Sequence, residues 1–224
     1  MPLNPTVSAI IPAYNEAGRI GRVLTCLGQS ACLAEIIVVD DGSRDATAQE
    51  VAAAAIQDRR ILLLKHPSNR GKGQAVFTGL QAAQQPLILL LDADLVGLTP
   101  HHLSALVEPV GAGEVEMTLG VFRDGRWNTD FSHWLTPWLT GQRCLRADLF
   151  ACLSLKAAAG YGIETALTVA SQQHGWRTRL VPLWGMSHEI SELHRGLWQG
   201  THTRLRMYAE IARAWYLAQK NNHR

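Results

Sequence analysis

The sequence predicts an α/β fold built on a mostly parallel sheet. Apolar runs of strand length alternate with helical patterns through the first hundred residues, and short connections join them. These runs are apolar on both faces, as strands buried within a parallel sheet are. Strand–helix repetition of this kind is the pattern of βαβ units, whose ligands bind at the carboxyl ends of the strands.

Four strands and four helices are predicted in order along this first half. The apolar runs place strands at residues 7–11, 35–40, 61–64 and 87–91. We expect Pro12 to end the first strand. Apolar spacing predicts helices at 20–27 and 71–83. Turn- and cap-forming residues at 43–47 precede a predicted helix that ends near residue 57, and Pro100 begins a predicted helix that reaches residue 110.

The second half is less regular, although we expect it to belong to the same domain. A strand is predicted at 115–122, a helix at 163–174, a strand at 178–183 and a long helix at 196–219. Residues 127–138 are rich in aromatic side chains and fit no single pattern. Because no linker or repeat divides the chain, we expect one domain over 1–224, with a regular half 1–110 and a less regular half 111–224.

The composition is that of a folded globular protein and narrows the range of partners. The chain is 47% hydrophobic and 18% charged, and its net charge of +2 does not indicate nucleic acid as a partner. Four scattered cysteines and the lack of a signal-peptide pattern favour a reducing, cytoplasmic location. No stretch approaches the about 20 apolar residues that cross a bilayer, so we expect a soluble protein or one attached to the inner face of the membrane.

Carboxylates follow three of the predicted strands at the point where each ends. They are Glu16 after the first strand, Asp40 and Asp41 at the second, and Asp92 and Asp94 after the fourth. Because the ends of parallel strands meet at one edge, we expect a shared crevice. Carboxylates this close need a cation or hydrogen-bond donors to stay ionised, and Mg²⁺ or Mn²⁺ would also bind a diphosphate. A single aspartate at such a position otherwise caps a turn or helix, the role we assign to Asp45.

The glycines near residue 71 do not form a known nucleotide-binding loop. Gly71-Lys72-Gly73 lacks the spaced first glycine and the following Ser or Thr of a Walker A loop. No Gly-x-Gly-x-x-Gly follows the first strand, so a dinucleotide site is unsupported. Lys72 at a helix N-terminus is still suited to pair with phosphate; the alternative is an ordinary solvated lysine.

Four motifs in the first hundred residues together resemble family 2 glycosyltransferases of the GT-A fold. They are Ile11-Pro12-Ala13-Tyr14-Asn15-Glu16, Val39-Asp40-Asp41-Gly42-Ser43-Arg44-Asp45-Ala46-Thr47, Asn69-Arg70-Gly71-Lys72-Gly73 and Asp92-Ala93-Asp94-Leu95. The resemblance implies that residues 1–110 bind a nucleotide sugar. In that comparison Pro12, Ala13, Tyr14, Asn15 and Glu16 hold base and ribose, Asp40 and Asp41 contact the base, and Lys72 lies near the base or phosphates. Asp92 and Ala93 lie near the ribose or sugar, and Asp94 is a metal ligand.

Features of the second half are similar to glucosyl-3-phosphoglycerate synthases, which retain the anomeric configuration. They are Thr140-Gly141-Gln142-Arg143, Gly160-Tyr161-Gly162-Ile163-Glu164 and His188. The resemblance implies that Thr140, Gly141, Gln142 and Arg143 meet the acceptor, that Tyr161 and Glu164 lie where sugar and acceptor join, and that His188 is a second metal ligand. Glu164 is suited to act as a base toward an acceptor hydroxyl or simply to favour a helix N-terminus. A site with both His and Asp suits Mn²⁺ better than Mg²⁺.

Two further groups of residues have open interpretations. Arg143, Arg195, Arg204 and Arg206 form either an anion pocket, for a phosphorylated acceptor or the leaving diphosphate, or a solvated helix face. Trp127, Phe131, Trp134 and Trp138 form either a membrane-interface or dimer patch or part of the core, which is the commoner role of such residues.

We therefore expect a metal-assisted glycosyltransferase with Asp94 and Glu164 as its catalytic residues. It would move a sugar from a UDP- or GDP-linked donor to a hydroxyl or phosphate acceptor, either a small molecule or lipid-linked. A peripheral membrane contact, a homodimer, and retention or inversion stay open. One alternative is a sugar-phosphate nucleotidyltransferase, although residues 12–16 are not its glycine-rich basic loop. The other is a non-catalytic protein that binds nucleotide sugars.

Overall fold

The computed structural model of the protein describes residues 7–123, 140–153 and 162–188. The strands of this part are β1 Val7–Ala13, β2 Leu33–Asp40, β3 Ile61–Lys65, β4 Leu87–Leu90, β5 Leu95–Val96, β6 Met117–Arg123, β7 Arg143–Arg146, β8 Thr178–Trp184 and β9 Ser187–His188. Its α-helices are α1 Ile20–Gly28, α2 Thr47–Gln57, α3 Lys72–Ala82, α4 Pro100–Gly111 and α5 Ile163–Gln173, with a 3₁₀ helix at Ala147–Cys152.

The main sheet has seven strands in the order β3-β2-β1-β4-β7-β6-β8. Strand β1 pairs in parallel with β2 and β4, β2 with β3, and β6 with β8, whereas β7 runs antiparallel to β4 and β6. The predicted α/β class with a mostly parallel sheet is confirmed. The strand order reverses at β1, so β2 lies on one side of it and β4 on the other. Such a switch point opens a crevice at the carboxyl ends of the strands.

Helices cover both faces of the sheet, and the strands separate two apolar clusters. Alternate residues of β1 point to opposite faces: Ala9 and Ile11 join the cluster that includes α1, α2 and α4, while Ile10 joins the cluster of α3 and α5. All three are fully buried. Burial on both faces explains why these strands show continuous apolar runs and no alternation.

Pro12 does not end the first strand, so that prediction is wrong. The backbone oxygen of Ile10 accepts a hydrogen bond from Leu91 on the β4 side, and the oxygen of Ala13 accepts one from Asp41 on the β2 side. This alternation turns the Pro12 nitrogen toward β4, whose pairing with β1 ends at Leu90. The proline therefore removes no ladder hydrogen bond, and the strand continues to Ala13.

The predicted helices and strands of the described ranges are otherwise found within two residues of their expected ends. Strands β5, β7 and β9 and the 3₁₀ helix were not predicted. The predicted helix 196–219 and the aromatic segment 127–138 lie outside the described residues. No helix in the described part is long and apolar enough to cross a membrane.

Candidate active site

The loops after β1 and β2 are joined by side-chain hydrogen bonds at the carboxyl edge of the sheet. The Asn15 backbone N–H donates to Ser43 Oγ at 2.9 Å, and Asn15 Oδ1 accepts the Arg44 N–H at 2.9 Å. Asn15 adopts a φ of 57° to make both contacts. The Glu16 N–H donates to Thr47 Oγ1 at 2.8 Å, and the Ala17 N–H to Asp45 Oδ2 at 3.1 Å. Asp45 also accepts the Thr47 N–H, so it serves the start of α2 as predicted.

A cavity of about 440 Å³ opens beside these loops. Its volume is within the range of small-molecule sites. Asp40 lies on its wall and is only 4% exposed, and Asp40 Oδ1 accepts the Ser43 N–H at 3.0 Å. The other lining residues come from the loops after β1, β2 and β3, the end of β3 and the first turn of α2: Tyr14, Gly42, Ser43, Arg44, Asp45, Ala48, Gln49, Lys65, His66, Pro67, Ser68 and Asn69.

Asp41 faces away from this cavity wall and holds the loop that follows β3. Asp41 Oδ1 lies 2.6 Å from His66 Nδ1 and accepts the Arg70 N–H at 2.9 Å, while Oδ2 accepts the Gly71 N–H at 2.8 Å. The other ring nitrogen of His66 lies 2.9 Å from Thr78 Oγ1 in α3. Sequence reasoning missed His66, because a single histidine in a loop carries no spacing signal.

Lys72, the first residue of α3, bridges two carboxylates from different elements. Its Nζ lies 2.6 Å from Asp92 Oδ1 and 2.5 Å from Glu164 Oε1. Asp92 follows β4, and Glu164 is in the first turn of α5. Desolvation alone would lower the pKa of Lys72, but the charges of Asp92 and Glu164 outweigh it and raise that pKa above its usual value. These three predicted site residues are thus brought together.

The Thr140–Arg143 turn contacts Asp92 from the opposite side. Gln142 Nε2 donates to Asp92 Oδ2 at 2.7 Å, and Gln142 Oε1 accepts from Thr140 Oγ1 at 2.8 Å. Gln142 is fully buried. A Cβ at Gly141 would lie 2.4 Å from Asp92 Oδ2, so only glycine fits this close approach. The residues predicted to meet the acceptor therefore also position Asp92.

Arg143 lies inside the protein, so an exposed contact with an acceptor is not its role in this structure. The residue has no exposed surface. Its Nε donates to the Thr140 backbone oxygen at 2.9 Å, and another guanidinium nitrogen lies 3.2 Å from Thr168 Oγ1 in α5. Burial lowers the pKa of Arg143 to about 10, although the negative charge of Glu164 acts in the opposite direction. Arg143 joins the 140–143 turn to α5.

Glu16 and Asp94 form a second acidic group on the same edge. Burial raises the pKa of Glu16, the hydrogen bond from Arg19 lowers it, and the charge of Asp94 raises it further. Asp94 directly precedes β5, whose Leu95 pairs with His188 of β9. The backbone pairing therefore brings the chain at His188 next to Asp94. Among the described residues, no three His, Cys, Asp or Glu side chains are grouped closely enough to hold a metal by themselves.

The remaining predicted site residues lie at the carboxyl ends of β1 and β4 or outside the described residues. Pro12 and Ala13 are the last residues of β1, and Ala93 is buried between the two aspartates of its motif. Tyr161 lies outside the described residues, as do Arg195, Arg204 and Arg206.

Comparison with known families and proteins agrees with this architecture. Residues 8–164 match the model of Glycosyl transferase family 2. The undecaprenyl-phosphate 4-deoxy-4-formamido-L-arabinose transferase of Pseudomonas paraeruginosa is 33% identical over 134 residues, which are 57% of this chain and 38% of that protein. A dolichyl-phosphate beta-glucosyltransferase of Trichomonas vaginalis is 41% identical over 97 residues, 39% of this chain and 30% of that protein. The chain thus spans under two fifths of the length of these curated relatives.

Solved structures of similar fold include glucosyl-3-phosphoglycerate synthase from Mycobacterium tuberculosis. Its complex with phosphoglyceric acid matches with a TM-score of 0.75 at 23% identity, over 94% of this chain and 80% of that one. Its complex with Mn²⁺, UDP-glucose and phosphoglyceric acid matches with a TM-score of 0.73 at 23% identity, over 94% and 79%. At this level of identity the likeness is one of fold.

Proposed function

Because the chain belongs to the family 2 glycosyltransferases, we propose that it transfers a sugar from a UDP- or GDP-linked donor to a hydroxyl or phosphate acceptor. The observation that carries this proposal is the bridge from Lys72 to Asp92 and Glu164. It lies at the carboxyl edge of the sheet that also bears Asp40 and its cavity. A base, a diphosphate and a sugar would extend along this edge in that order.

The donor would occupy the cavity and the edge beside it. Tyr14 and Asp40 line the cavity and would contact the base or ribose, whose hydroxyls and N–H groups pair with carboxylates. Glu16 and Asn15 would complete this part of the site from the loop after β1. The diphosphate would lie near Lys72, where the first backbone N–H groups of α3 have no acceptor within the helix. Binding there would give the ammonium a third anionic partner.

Asp92 and Glu164 would act on the sugar and the acceptor. Each side chain is 18% exposed, so both can contact a bound molecule while their positions are fixed from behind. Lys72 and Gln142 hold Asp92 at 2.6 and 2.7 Å, an orientation suited to a sugar hydroxyl. Glu164 would accept or orient the hydrogen of an acceptor hydroxyl. The Thr140–Arg143 turn would support Asp92 and border the acceptor.

A divalent cation would lie at Asp94, on the edge where Asp94 and Glu16 are close enough to interact. Burial raises the pKa of Glu16 and the charge of Asp94 raises it further, and a cation would relieve that repulsion. Mg²⁺ and Mn²⁺ sites for nucleotides commonly use one or two protein ligands completed by substrate phosphates, so a larger protein cluster is not required. Asp94 and His188 would be these ligands, and the Asp and His donor set favours Mn²⁺. When bound, the cation would neutralise charge on the leaving nucleoside diphosphate.

The acceptor is proposed to carry a phosphate. Two of the relatives are named for undecaprenyl-phosphate and dolichyl-phosphate, and complexes of the structural neighbour contain phosphoglyceric acid. These names support either a lipid-linked phosphate, reached at a membrane surface, or a small phosphorylated acid. We propose that residues 111–224 form the acceptor half in the same domain as the donor half.

A panel of UDP- and GDP-sugars, each with and without Mn²⁺, tests this function. We expect Mn²⁺-dependent release of UDP or GDP, faster with a polyprenyl phosphate or phosphoglycerate present. Release of pyrophosphate from a nucleoside triphosphate and a sugar 1-phosphate would instead identify a nucleotidyltransferase. Tight binding of a nucleotide sugar without any turnover would identify a non-catalytic binding protein.

A further inference from the structure

We propose that Asp41, His66 and Thr78 form a clamp that sets the affinity for the donor nucleotide by fixing the position of the loop 66–71. The proposal rests on the proposed donor site and adds positioning residues to it. The clamp joins the end of β2 to α3 and closes the loop 66–71 between them. This loop supplies four residues of the cavity wall and directly precedes Lys72, the first residue of α3.

Both ends of the loop are held by the same carboxylate. His66 at its start contacts Asp41 Oδ1, and Arg70 and Gly71 at its end donate their backbone N–H groups to Asp41. The loop is therefore closed into a ring around one side chain. An ionised Asp41 takes its hydrogen from His66 Nδ1, which leaves Nε2 to accept the hydroxyl hydrogen of Thr78.

The Asp41–His66 pair of the clamp is shielded from solvent, which strengthens the hydrogen bonds to Asp41. Asp41 is 3% exposed and His66 8% exposed. Buried hydrogen bonds to a charged group are the stronger kind in proteins. Of the three clamp residues, His66 lines the cavity, whereas Asp41 and Thr78 act on it only through the loop.

The loop also packs directly on the turn after β2. Gly42 has a φ of +75°, and a Cβ there would lie 2.5 Å from the Ser68 carbonyl carbon and 2.7 Å from the Asn69 nitrogen. Ser68 and Asn69 are cavity-lining residues. Any movement of the loop away from Asp41 would therefore widen the cavity and shift the N-terminus of α3 with Lys72. Since both changes alter contacts to the nucleotide, the clamp acts on donor affinity.

The test compares two isosteric substitutions that each remove one hydrogen-bonded hydroxyl. Thr78→Val removes the hydrogen bond between His66 and α3. Thr118→Val is the matched control, because the Thr118 hydroxyl donates a 2.7 Å hydrogen bond to the Leu106 oxygen. Neither residue lines the cavity. For each protein we would measure binding of UDP and GDP with Mn²⁺ by calorimetry, donor KM and kcat, and the unfolding midpoint. Hydrogen exchange at residues 66–71 would report on the loop itself.

Thr78→Val is expected to weaken nucleotide binding and raise donor KM by about fivefold to tenfold, with kcat within about twofold, because the loss of about one hydrogen bond acts on binding alone. Exchange at residues 66–71 should accelerate. Thr118→Val should lower the unfolding midpoint and leave KM and loop exchange unchanged.

A second pair of variants separates the two bonds of the imidazole. The amide nitrogen of His66→Asn can take the place of Nδ1 and keep the bond to Asp41. The amide of His66→Gln reaches only the position of Nε2, where its oxygen can accept the hydroxyl hydrogen of Thr78. His66→Asn should therefore bind the nucleotide more tightly than His66→Gln. Equal binding by wild type, Thr78→Val and His66→Gln would overturn this proposal while the proposed function stands. Failure of the wild type to bind either nucleotide would overturn the proposed function and this proposal with it.

Discussion

Replacement of Gly141 by alanine tests whether the 140–143 turn positions Asp92. The Cβ of the new side chain would lie 2.4 Å from Asp92 Oδ2 and 2.7 Å from Oδ1. Gly141 does not have a positive φ, so the substitution strains no backbone torsion and acts only through this contact. Asp92 cannot simply turn away, because Lys72 and Gln142 hold its two oxygens.

The size of the effect follows from these distances. Non-bonded heavy atoms are comfortable from about 3.5 Å, so the carboxylate must move by roughly 1 Å. A shift of this size breaks the 2.7 Å hydrogen bond from Gln142. A misplacement of about 1 Å in a site can cost about 100-fold in rate, and we expect kcat/KM to fall by about that factor. The free energy of unfolding should fall by only about 1.5–3 kcal/mol, the contribution of one hydrogen bond to a charged group.

The assay is release of nucleoside diphosphate from the best donor of the panel, with urea unfolding measured on the same samples. Gly111→Ala, at the last residue of α4, is the matched control. Its Cβ would lie 3.7 Å from Leu87 Cδ1, which is an ordinary van der Waals distance. It should keep full activity. If Gly141→Ala were as active as the wild type, Asp92 would not need its present position, and the reasoning would be refuted.

Three other substitutions have defined outcomes. Asp94→Asn should abolish Mn²⁺-stimulated turnover with the unfolding midpoint preserved, and unchanged Mn²⁺ dependence would remove Asp94 from the proposed metal site. Lys72→Met should raise donor KM by about tenfold or more, as one ion pair to phosphate is lost; a KM equal to that of the wild type would show that Lys72 does not meet the diphosphate. Arg60→Met should destabilise the fold by about 2–3 kcal/mol in urea unfolding without changing KM, because Arg60 donates to three backbone oxygens between the end of α1 and the start of β2. The hydrogen bond from Arg60 lowers the pKa of Asp58 below its ordinary value of 3.8, so wild-type stability should fall as acid protonates Asp58, and fall less in Arg60→Met.

The parallel half of the fold could be predicted because its strands are buried on both faces. Residues 36–39 of β2 are almost without exposed surface, and this burial demands the continuous apolar run seen in the sequence. Strand β7 could not be predicted in this way. It is four residues long and begins and ends with arginine, and it becomes a strand only because β4 and β6 pair with it from both sides. That pairing is tertiary and leaves no periodic signal.

The sequence predicts which strand ends carry the carboxylates of the candidate site. It does not predict the direction in which each side chain points. The adjacent Asp40 and Asp41 were both assigned to the base. Consecutive residues at the end of a strand point to opposite sides, and here Asp40 meets the cavity while Asp41 turns to the loop 66–71. Similarly, the sequence shows that Gly141 is small, but only the structure shows that the Asp92 carboxylate occupies the space of its side chain.

A crystal structure of the protein with UDP or GDP and Mn²⁺ tests the central claim most directly. We expect the base beside Asp40, the diphosphate near Lys72 and the metal bound to Asp94 together with phosphate oxygens. A nucleotide bound at another face, such as the cavity lined by Pro86, Val110 and Arg146, would contradict the account. So would a diphosphate at the strand ends whose metal lies away from Asp94.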